Sequence, residues 1–242
     1  MKKPFLYLIV IIVIVVAVAV VAAFSVVLRA PEYGIVRGKI ADELSGDPVR
    51  GVRIVVDKRS TVLYQTTSYK LTRIPPGEYT LEASPPTGWA KFAQKIKVKP
   101  GENVVNIPLK GTHIPDLKEI ICFSESKEKG ITIEIRYVNS EGIGMTEFPQ
   151  LPINVEVTLW ERIGEEDSYK KGKKLFEGAV EHFWDSKAYL AKNKAFIPWE
   201  KIPVDIKEKK WGIMEVRVHL KQGDFKDTID DVQLFPEKEE YK

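Results

Sequence analysis

Residues 131–138 read ITIEIRYV, and this segment decides the fold class because its apolar and polar side chains alternate. Successive side chains of a β-strand point to opposite faces of a sheet, so the alternation predicts a strand with one buried and one solvated face. The same pattern recurs in residues 153–160 and 214–220. Four weaker segments complete the set of strands expected in residues 111–235, namely 119–124, 174–183, 195–199 and 228–235.

Alternation continues upstream, in shorter runs that turn signals separate. Val52, Ile54 and Val56 share one phase of such a run, and Pro- and Gly-rich turns divide it from its neighbours. The turns are SGDP at 45–48, PPG at 75–77, PPTG at 85–88 and PG at 100–101. The chain is therefore predicted to be all-β, with a small antiparallel β-sandwich at residues 30–110 and a second one, of immunoglobulin- or fibronectin-like architecture, at residues 111–235. We call these the proximal module and the distal module.

Residues 5–28 read FLYLIVIIVIVVAVAVVAAFSVVL, with Ser25 as the one polar side chain. A helix of this length measures about 36 Å, which is enough to cross a hydrocarbon core of ~30 Å. The run is longer than the apolar region of about 7–15 residues that is typical of a cleaved signal peptide, which is the alternative. We therefore expect residues 1–29 to be an uncleaved signal anchor that contacts the lipid bilayer through residues 5–28.

The charges that flank this run predict its orientation. Lys2 and Lys3 precede it, whereas Arg29 follows it and is soon joined by Glu32. The positive-inside rule then places the N-terminus in the cytoplasm and residues 30–242 outside, as a single-pass protein of the cell membrane. The short segment 236–242, PEKEEYK, is expected to be a flexible tail.

Charge is distributed unevenly along the chain, although the formal net charge is only +3. Residues 30–109 carry a net charge of +4, and residues 110–242 carry −4. This difference in charge either has no function or attracts the proximal module weakly to anionic lipid head groups. No nucleic-acid partner is expected. The abundance of Lys and Glu beside few amide and sulfur residues fits a thermophilic source.

Four separated motifs in the proximal module resemble a known family. They are VRGKI at 36–40, SGDPVRGVRI at 45–54, IPPGEYTL at 74–81, and VKPG at 98–101 followed by Leu109. In this order and spacing they resemble a carboxypeptidase regulatory-like domain, the transthyretin-like or prealbumin-like β-sandwich. The resemblance covers about a third of the chain and implies a non-catalytic domain that accompanies catalytic or surface modules. Residues 65–69, QTTSY, lack the acidic residue or Gly that the family often has there, so no ligand or ion is inferred for that turn.

Two sets of side chains are candidates for surface contacts. The first is the lysine row, Lys91, Lys95, Lys97 and Lys99, which the spacing places on one face of one strand. Such a row either protects an edge strand from pairing with another sheet or forms a patch for phospholipid or an anionic polymer.

The second set is aromatic. Trp160 lies on the polar phase of its strand, and Trp199 follows Pro198 in what reads as a loop. Rings that face solvent on the same side of the module would stack on sugar rings, whereas packing in the core is the commoner role of Trp.

No catalytic, cofactor or metal site is predicted. The sequence has no nucleophile elbow, zinc-protease helix motif, phosphate loop or dinucleotide fingerprint. A single cysteine, Cys122, rules out an intramolecular disulfide. The acidic clusters, at 165–167 and at 224–231, fit solvated loops or a calcium site without a recognisable loop signature.

The sequence therefore predicts a non-catalytic protein of the cell envelope. In this interpretation the bilayer holds the N-terminus, and the two β-sandwiches have a structural role or bind an envelope protein or polysaccharide. Two alternatives remain open: a pilin-like filament subunit with its apolar helix in the fibre core, and an accessory subunit of a membrane-bound enzyme or transport complex.

Overall fold

A computed structural model of the chain describes residues 33–63, 66–164 and 169–236. The predicted membrane helix at residues 5–28 and most of the predicted tail lie outside these ranges. Within them, no helix is long and apolar enough to cross a bilayer, and the regular helix present is a single 3-10 turn at Trp199–Lys201. The prediction of an all-β fold is confirmed for the described residues.

The proximal module contains eight strands in two sheets that face each other. One sheet has the order β4-β1-β7, with β8 also pairing with β1, and the other has the order β3-β2-β5-β6. The strands are β1 (Gly34–Asp42), β2 (Val52–Val56), β3 (Arg59–Leu63), β4 (Ser68–Ile74), β5 (Gly77–Ser84), β6 (Phe92–Val98), β7 (Gly101–Val104) and β8 (Ile107–Leu109).

The first sheet is mixed, which corrects the prediction of a purely antiparallel sandwich. Strand β1 is antiparallel to β4 but parallel to β7 and β8. The reason is a crossover: β6 ends at Val98, and the chain passes to the other sheet at the end of the module where β1 begins. Strand β7 consequently starts beside Gly34 and runs in the same direction as β1.

Inward-facing side chains of both sheets form the proximal core. Val36, Ile54, Ile74 and Leu81 are completely buried there, and their strands alternate between buried and exposed positions. Burial of such aliphatic side chains is worth about 1.5–3 kcal/mol each, so each of these positions contributes substantially to the stability of the module.

One close backbone approach in this module requires glycine. A Cβ atom added at Gly38 would lie 1.7 Å from the carbonyl oxygen of Val105. The same oxygen accepts a hydrogen bond of 2.7 Å from the Tyr69 hydroxyl, so it cannot move away without breaking that bond.

The distal module contains the seven predicted strands, in the order β15-β14-β11-β12-β13-β10-β9. They are β9 (Leu117–Lys127), β10 (Gly130–Asn139), β11 (Asn154–Ile163), β12 (Lys170–Trp184), β13 (Asn193–Pro198), β14 (Trp211–Leu220) and β15 (Gly223–Gln233). The segment 185–192, which connects β12 to β13, forms turns and bends.

The long strand β12 folds this sheet into two halves. Its residues up to Val180 pair with β11, and its residues from Glu181 onward pair with β13. Strands β9 and β15 meet at the opposite side through side chains: Asp227 accepts a hydrogen bond of 2.6 Å from the Cys122 backbone N–H, and Ser126 donates one of 2.6 Å to the Gln233 carbonyl. One continuous core of Ile, Val, Leu and aromatic side chains lies between the halves.

The proximal module has two distinct ends. At one end, which we call the base, Gly34 is paired with Ile74 and Gly101. At the other end, Asp42 is paired with Leu109, and the chain continues into the distal module. Strand β1 runs from the base to this junction, and its nine residues span about 30 Å.

Candidate functional site

The most developed surface of the distal module lies on the outer face of the sheet half that contains β11. Val155, Val157 and Leu159 of β11 are buried, so the alternate positions lie on the outer face. These are Glu156, Thr158, Trp160 and Arg162, which follow one another over about 20 Å. Together with the side chains beside them on β12, β14 and β15, we call them the outer strip.

Trp160 lies at the centre of the outer strip and is half-buried. The Nζ atom of Lys171 lies 4.0 Å from the centroid of its ring, and the same ammonium group is paired with the Glu215 carboxylate. The register of the β11–β12 ladder shifts on both sides of Trp160, as at a β-bulge, which re-aims a side chain. The ring therefore lies outside the core, and a flexible cation covers it.

A groove of about 440 Å³ runs beside this ring. Its floor includes the backbone of Gly178, where an added Cβ atom would find no neighbour within 4 Å. Three carboxylates line it, from Glu156, Glu177 and Glu215, together with the cations of Arg217 and Lys226. Lys171 and Lys174 lie beside the groove, paired with Glu215 and Glu177, so three carboxylates face four cations. The groove therefore offers hydrogen-bonding groups of both signs without a strong net field.

One end of the outer strip is aromatic. The guanidinium of Arg162 lies 5.3 Å from the ring centroid of Tyr169 and 5.6 Å from that of Trp211, and it is also paired with Asp231. The rings of Trp211 and Phe235 meet edge to face at 5.9 Å. Arg162 thereby holds two rings and a carboxylate in one cluster beside the groove.

The other end of the outer strip carries a histidine between two carboxylates. Nδ1 of His219 lies 2.8 Å from an oxygen of Asp224, and Nε2 lies 3.3 Å from an oxygen of Glu156. The hydrogen bond with Asp224, aided by Glu156, raises the pKa of His219 above its usual value of 6.5. Among the described residues, no group of three or more His, Cys, Asp or Glu side chains could hold a metal ion.

Trp199, the second candidate ring, does not lie on the outer strip. Only 9% of it is exposed, and its Nε1 donates a hydrogen bond of 2.9 Å to the Lys127 carbonyl. The reason is the alternation along β13. Ala195 and Ile197 face the core, and Trp199, two residues further on, faces the same side although Pro198 precedes it. Its role is packing, so the structure does not bring Trp160 and Trp199 together on one surface.

The lysine row lies on the other module, along an edge strand. Strand β6 is the last in the order β3-β2-β5-β6. Lys95 and Lys97 are exposed within it, and Lys91 and Lys99 are exposed just beyond its two ends. The row thus follows the length of the proximal module, and Lys99 lies at the base.

Several side chains of the outer strip were not predicted from the sequence, notably Arg162, Lys171 and Glu215. No local pattern distinguishes them from other charged residues. They meet because β12 and β14 flank β11 in a particular register, which places Glu215 opposite Thr158 and Lys171 opposite Arg162.

A turn of the proximal module, residues 42–47, holds the distal module in place. The buried Asp42 accepts hydrogen bonds at Oδ2 from Trp89 Nε1, at 3.0 Å, and from the Gln150 backbone N–H, at 3.2 Å. Asp47 accepts hydrogen bonds from Trp184 Nε1, at 3.1 Å, and Lys192 Nζ, at 3.3 Å. These bonds fix the direction in which the outer strip is presented.

Additional backbone contacts reinforce the junction. The Thr112 backbone N–H donates a hydrogen bond of 2.8 Å to the Gly88 carbonyl, and Trp89 forms a β-bridge with Gly111. An exposed ion pair of 2.8 Å joins Arg50 to Glu147 and adds at most about 1 kcal/mol. The two modules are therefore joined by directional bonds in addition to the chain itself.

Comparison with known proteins leaves the family open. No family model matches the chain, and no curated protein is significantly similar to it. A solved DUF3823 family protein from Bacteroides ovatus is 14% identical over 83% of this chain and 97% of its own, with a TM-score of 0.29. Another, from Parabacteroides merdae, is 13% identical over 84% of this chain and 99% of its own, with a TM-score of 0.30. A candidate carbohydrate-binding protein from Bacteroides uniformis is 13% identical over 83% of this chain and 100% of its own, with a TM-score of 0.29. TM-scores of this size do not establish a shared fold.

Proposed function

We propose that this chain is a membrane-anchored, non-catalytic binding protein of the cell envelope. Residues 5–28 hold it in the bilayer as a signal anchor, and residues 30–242 lie outside the cell. The proximal module, as a carboxypeptidase regulatory-like domain, acts as a spacer, and the distal module, an immunoglobulin- or fibronectin-like sandwich, presents the outer strip to an envelope polysaccharide.

The observation that carries this proposal is the half-exposed Trp160 ring beside a groove of mixed charge. An indole face stacks on the apolar face of a sugar ring, and carboxylate, ammonium and hydroxyl groups beside it bond to sugar hydroxyls. Because the cations in and beside the groove offset Glu156, Glu177 and Glu215, the groove favours a neutral polymer over a highly charged one. Lys171 would move off the ring when a sugar takes its place.

The spacer role is supported by the geometry of the proximal module. Its base and its junction lie at opposite ends of β1, about 30 Å apart. The hydrogen bonds of Asp42 and Asp47 fix the distal module on the far end. A ligand site on the distal module would consequently be held away from the bilayer in a defined direction.

Binding of the full chain to insoluble neutral polysaccharides, measured in mild detergent, tests the proposal. We expect Trp160→Ala to abolish binding and Trp160→Phe to keep most of it, because the phenyl ring preserves a stacking face. Tyr189→Ala is the matched control, since Tyr189 is 78% exposed and lies outside the outer strip.

The same variants separate binding from stability. Trp160 is half-buried and contacts Lys171, so Trp160→Ala should lower the free energy of unfolding by about 1–2 kcal/mol, against about 3–5 kcal/mol for a fully buried ring. Retained binding in Trp160→Ala, or no binding of any neutral polysaccharide by the wild-type chain, would overturn the proposed ligand.

A further inference from the structure

The base of the proximal module lies where the chain would leave the membrane. Strand β1 begins there, and the Gly101 backbone N–H donates a hydrogen bond of 3.2 Å to the Tyr33 carbonyl. A Cβ atom added at Gly34 would lie 2.3 Å from Val98 Cγ1 and 2.7 Å from the Lys99 carbonyl oxygen. The first residues of the module therefore run directly against the end of the lysine row.

The distance from the base to the bilayer is bounded by chain length. Five residues, 29–33, separate the apolar run from Gly34. Even fully extended they span at most about 17 Å, and the head-group region on one side of a bilayer takes up about 5–8 Å of this. Whatever conformation residues 29–32 take, the base stays within about 12 Å of the head groups, which is about one and a half times the Debye length of ~8 Å at physiological ionic strength.

Cations predominate at the base and beside it. Arg73, Lys97 and Lys99 are exposed at the ends of β4 and β6, and Lys58 and Arg59 are exposed in the adjacent hairpin between β2 and β3. None of these five forms an ion pair with an acidic side chain of the described residues: Glu78 lies opposite Lys97 without pairing with it, and Glu102 pairs with Arg37. The exposed carboxylates of Asp57, in the same hairpin, and of Glu78 offset two of these five charges, so this surface keeps a net positive charge.

Two further features distinguish the base. Arg73 has a backbone φ of 60°, a conformation that is costly for a residue with a Cβ atom. It lies beside the irregularity in the β1–β4 ladder between Gly34 and Val36. Tyr33 is 44% exposed at the start of the base, and Tyr is enriched where a membrane meets water.

From these contacts we infer that the base is a docking surface for anionic lipid head groups of the bilayer that holds the anchor. The inference rests on the proposed membrane anchoring and adds a specific contact to it. Arg73, Lys97 and Lys99 bind the head groups, and Tyr33 lies at the interface. Docking of the base directs β1 away from the membrane, so it orients the junction and the outer strip toward the cell exterior.

Quenching of a fluorescent label at the base tests this inference in the full chain. The label is attached at Thr72→Cys in a Cys122→Ser background, and the protein is reconstituted in vesicles that contain a lipid with a nitroxide on its head group. Thr72 is exposed and precedes Arg73. We expect quenching to be stronger in vesicles that contain phosphatidylglycerol than in pure phosphatidylcholine, and to weaken in high salt.

The charge dependence is tested with two matched triple variants. Arg73→Gln, Lys97→Gln and Lys99→Gln together should abolish the extra quenching, because each cation near an anionic surface shifts the docking equilibrium about fivefold. Lys91→Gln, Lys110→Gln and Lys118→Gln remove the same charge away from the base and should leave it intact.

The outcomes distinguish docking from anchoring. Two results would overturn the docking surface: equal quenching in the two lipids, or an equal loss of the extra quenching in both triple variants. In either case the membrane anchor still holds if the chain is found in the vesicles. Failure of the wild-type chain to remain with neutral vesicles after alkaline extraction overturns the membrane anchor itself, and the docking surface with it.

Discussion

Replacement of Asp42 should loosen both the turn that contains it and the junction between the modules. Its Oδ1 atom accepts hydrogen bonds from the backbone N–H groups of Leu44 and Ser45, each at 3.0 Å, and from the Ser45 hydroxyl at 3.2 Å. Its Oδ2 atom accepts the bonds from Trp89 and Gln150 described above. Five donors thus converge on one carboxylate that is only 4% exposed.

The expected loss of stability follows from this count. A hydrogen bond to a charged group contributes about 1.5–3 kcal/mol, and a donor left buried without a partner costs about 1–3 kcal/mol. Because neighbouring bonds are not additive and some donors regain water, we expect Asp42→Ala to lower the free energy of unfolding by about 3–5 kcal/mol. Asp42→Asn keeps an oxygen for Leu44 and Ser45 but turns an amide group toward Trp89 and Gln150, so it should lose about 2–3 kcal/mol.

Urea unfolding followed by Trp fluorescence and circular dichroism measures these differences. Glu43→Gln is the control, since Glu43 is exposed beside Asp42 and a surface change of this kind is usually worth less than about 0.5 kcal/mol. If Asp42→Ala unfolds within about 1 kcal/mol of the wild type, the carboxylate does not hold the junction and the reasoning fails.

Three other predictions concern stability. Gly38→Ala should destabilise the chain by about 3 kcal/mol or more, seen as a lower melting temperature, because its Cβ would collide with the Val105 carbonyl; a melt like that of the wild type would contradict this. An NMR titration should give His219 a pKa above 6.5. The protonated ring should therefore make its full contribution to the free energy of unfolding below pH 6.5, and this contribution should be lost as the pH rises through the raised pKa. His219→Gln should remove that pH dependence, and an unchanged pH profile would show that Asp224 and Glu156 do not hold a charged ring. Thermal melts should be the same with and without chelator or reductant, because no metal or disulfide is expected in either module; a large drop with chelator would indicate a metal site.

Three strands of the distal module, β10, β11 and β14, were the most predictable because each alternates strictly between buried and outward-facing side chains over much of its length. In residues 131–138, for example, Ile131, Ile133 and Ile135 are completely buried. Period-two patterns are local, so one sequence is sufficient to find them. The inward position of Trp199 could also have been predicted, because it follows Ala195 and Ile197 at intervals of two residues. Pro198 suggested a loop at this point, so the alternation was not extended to Trp199.

Pairing between strands was not predictable in the same way. The parallel alignment of β1 with β7 depends on where the chain crosses between sheets. The sharing of β12 between two sheet halves depends on how far β11 and β13 extend along it. The contact of Lys171 with Trp160 depends in turn on that pairing, so the groove could not be assembled from sequence spacing.

The path of β1 has a mechanical consequence for a protein held at one end and bound at the other. Tension applied between the N-terminus and a ligand on the distal module pulls along β1, from Gly34 toward Asp42. The hydrogen bonds that join β1 to β4, β7 and β8 run across the strand, so such a force shears them together and does not open them one at a time. The proximal module is thus oriented to carry load.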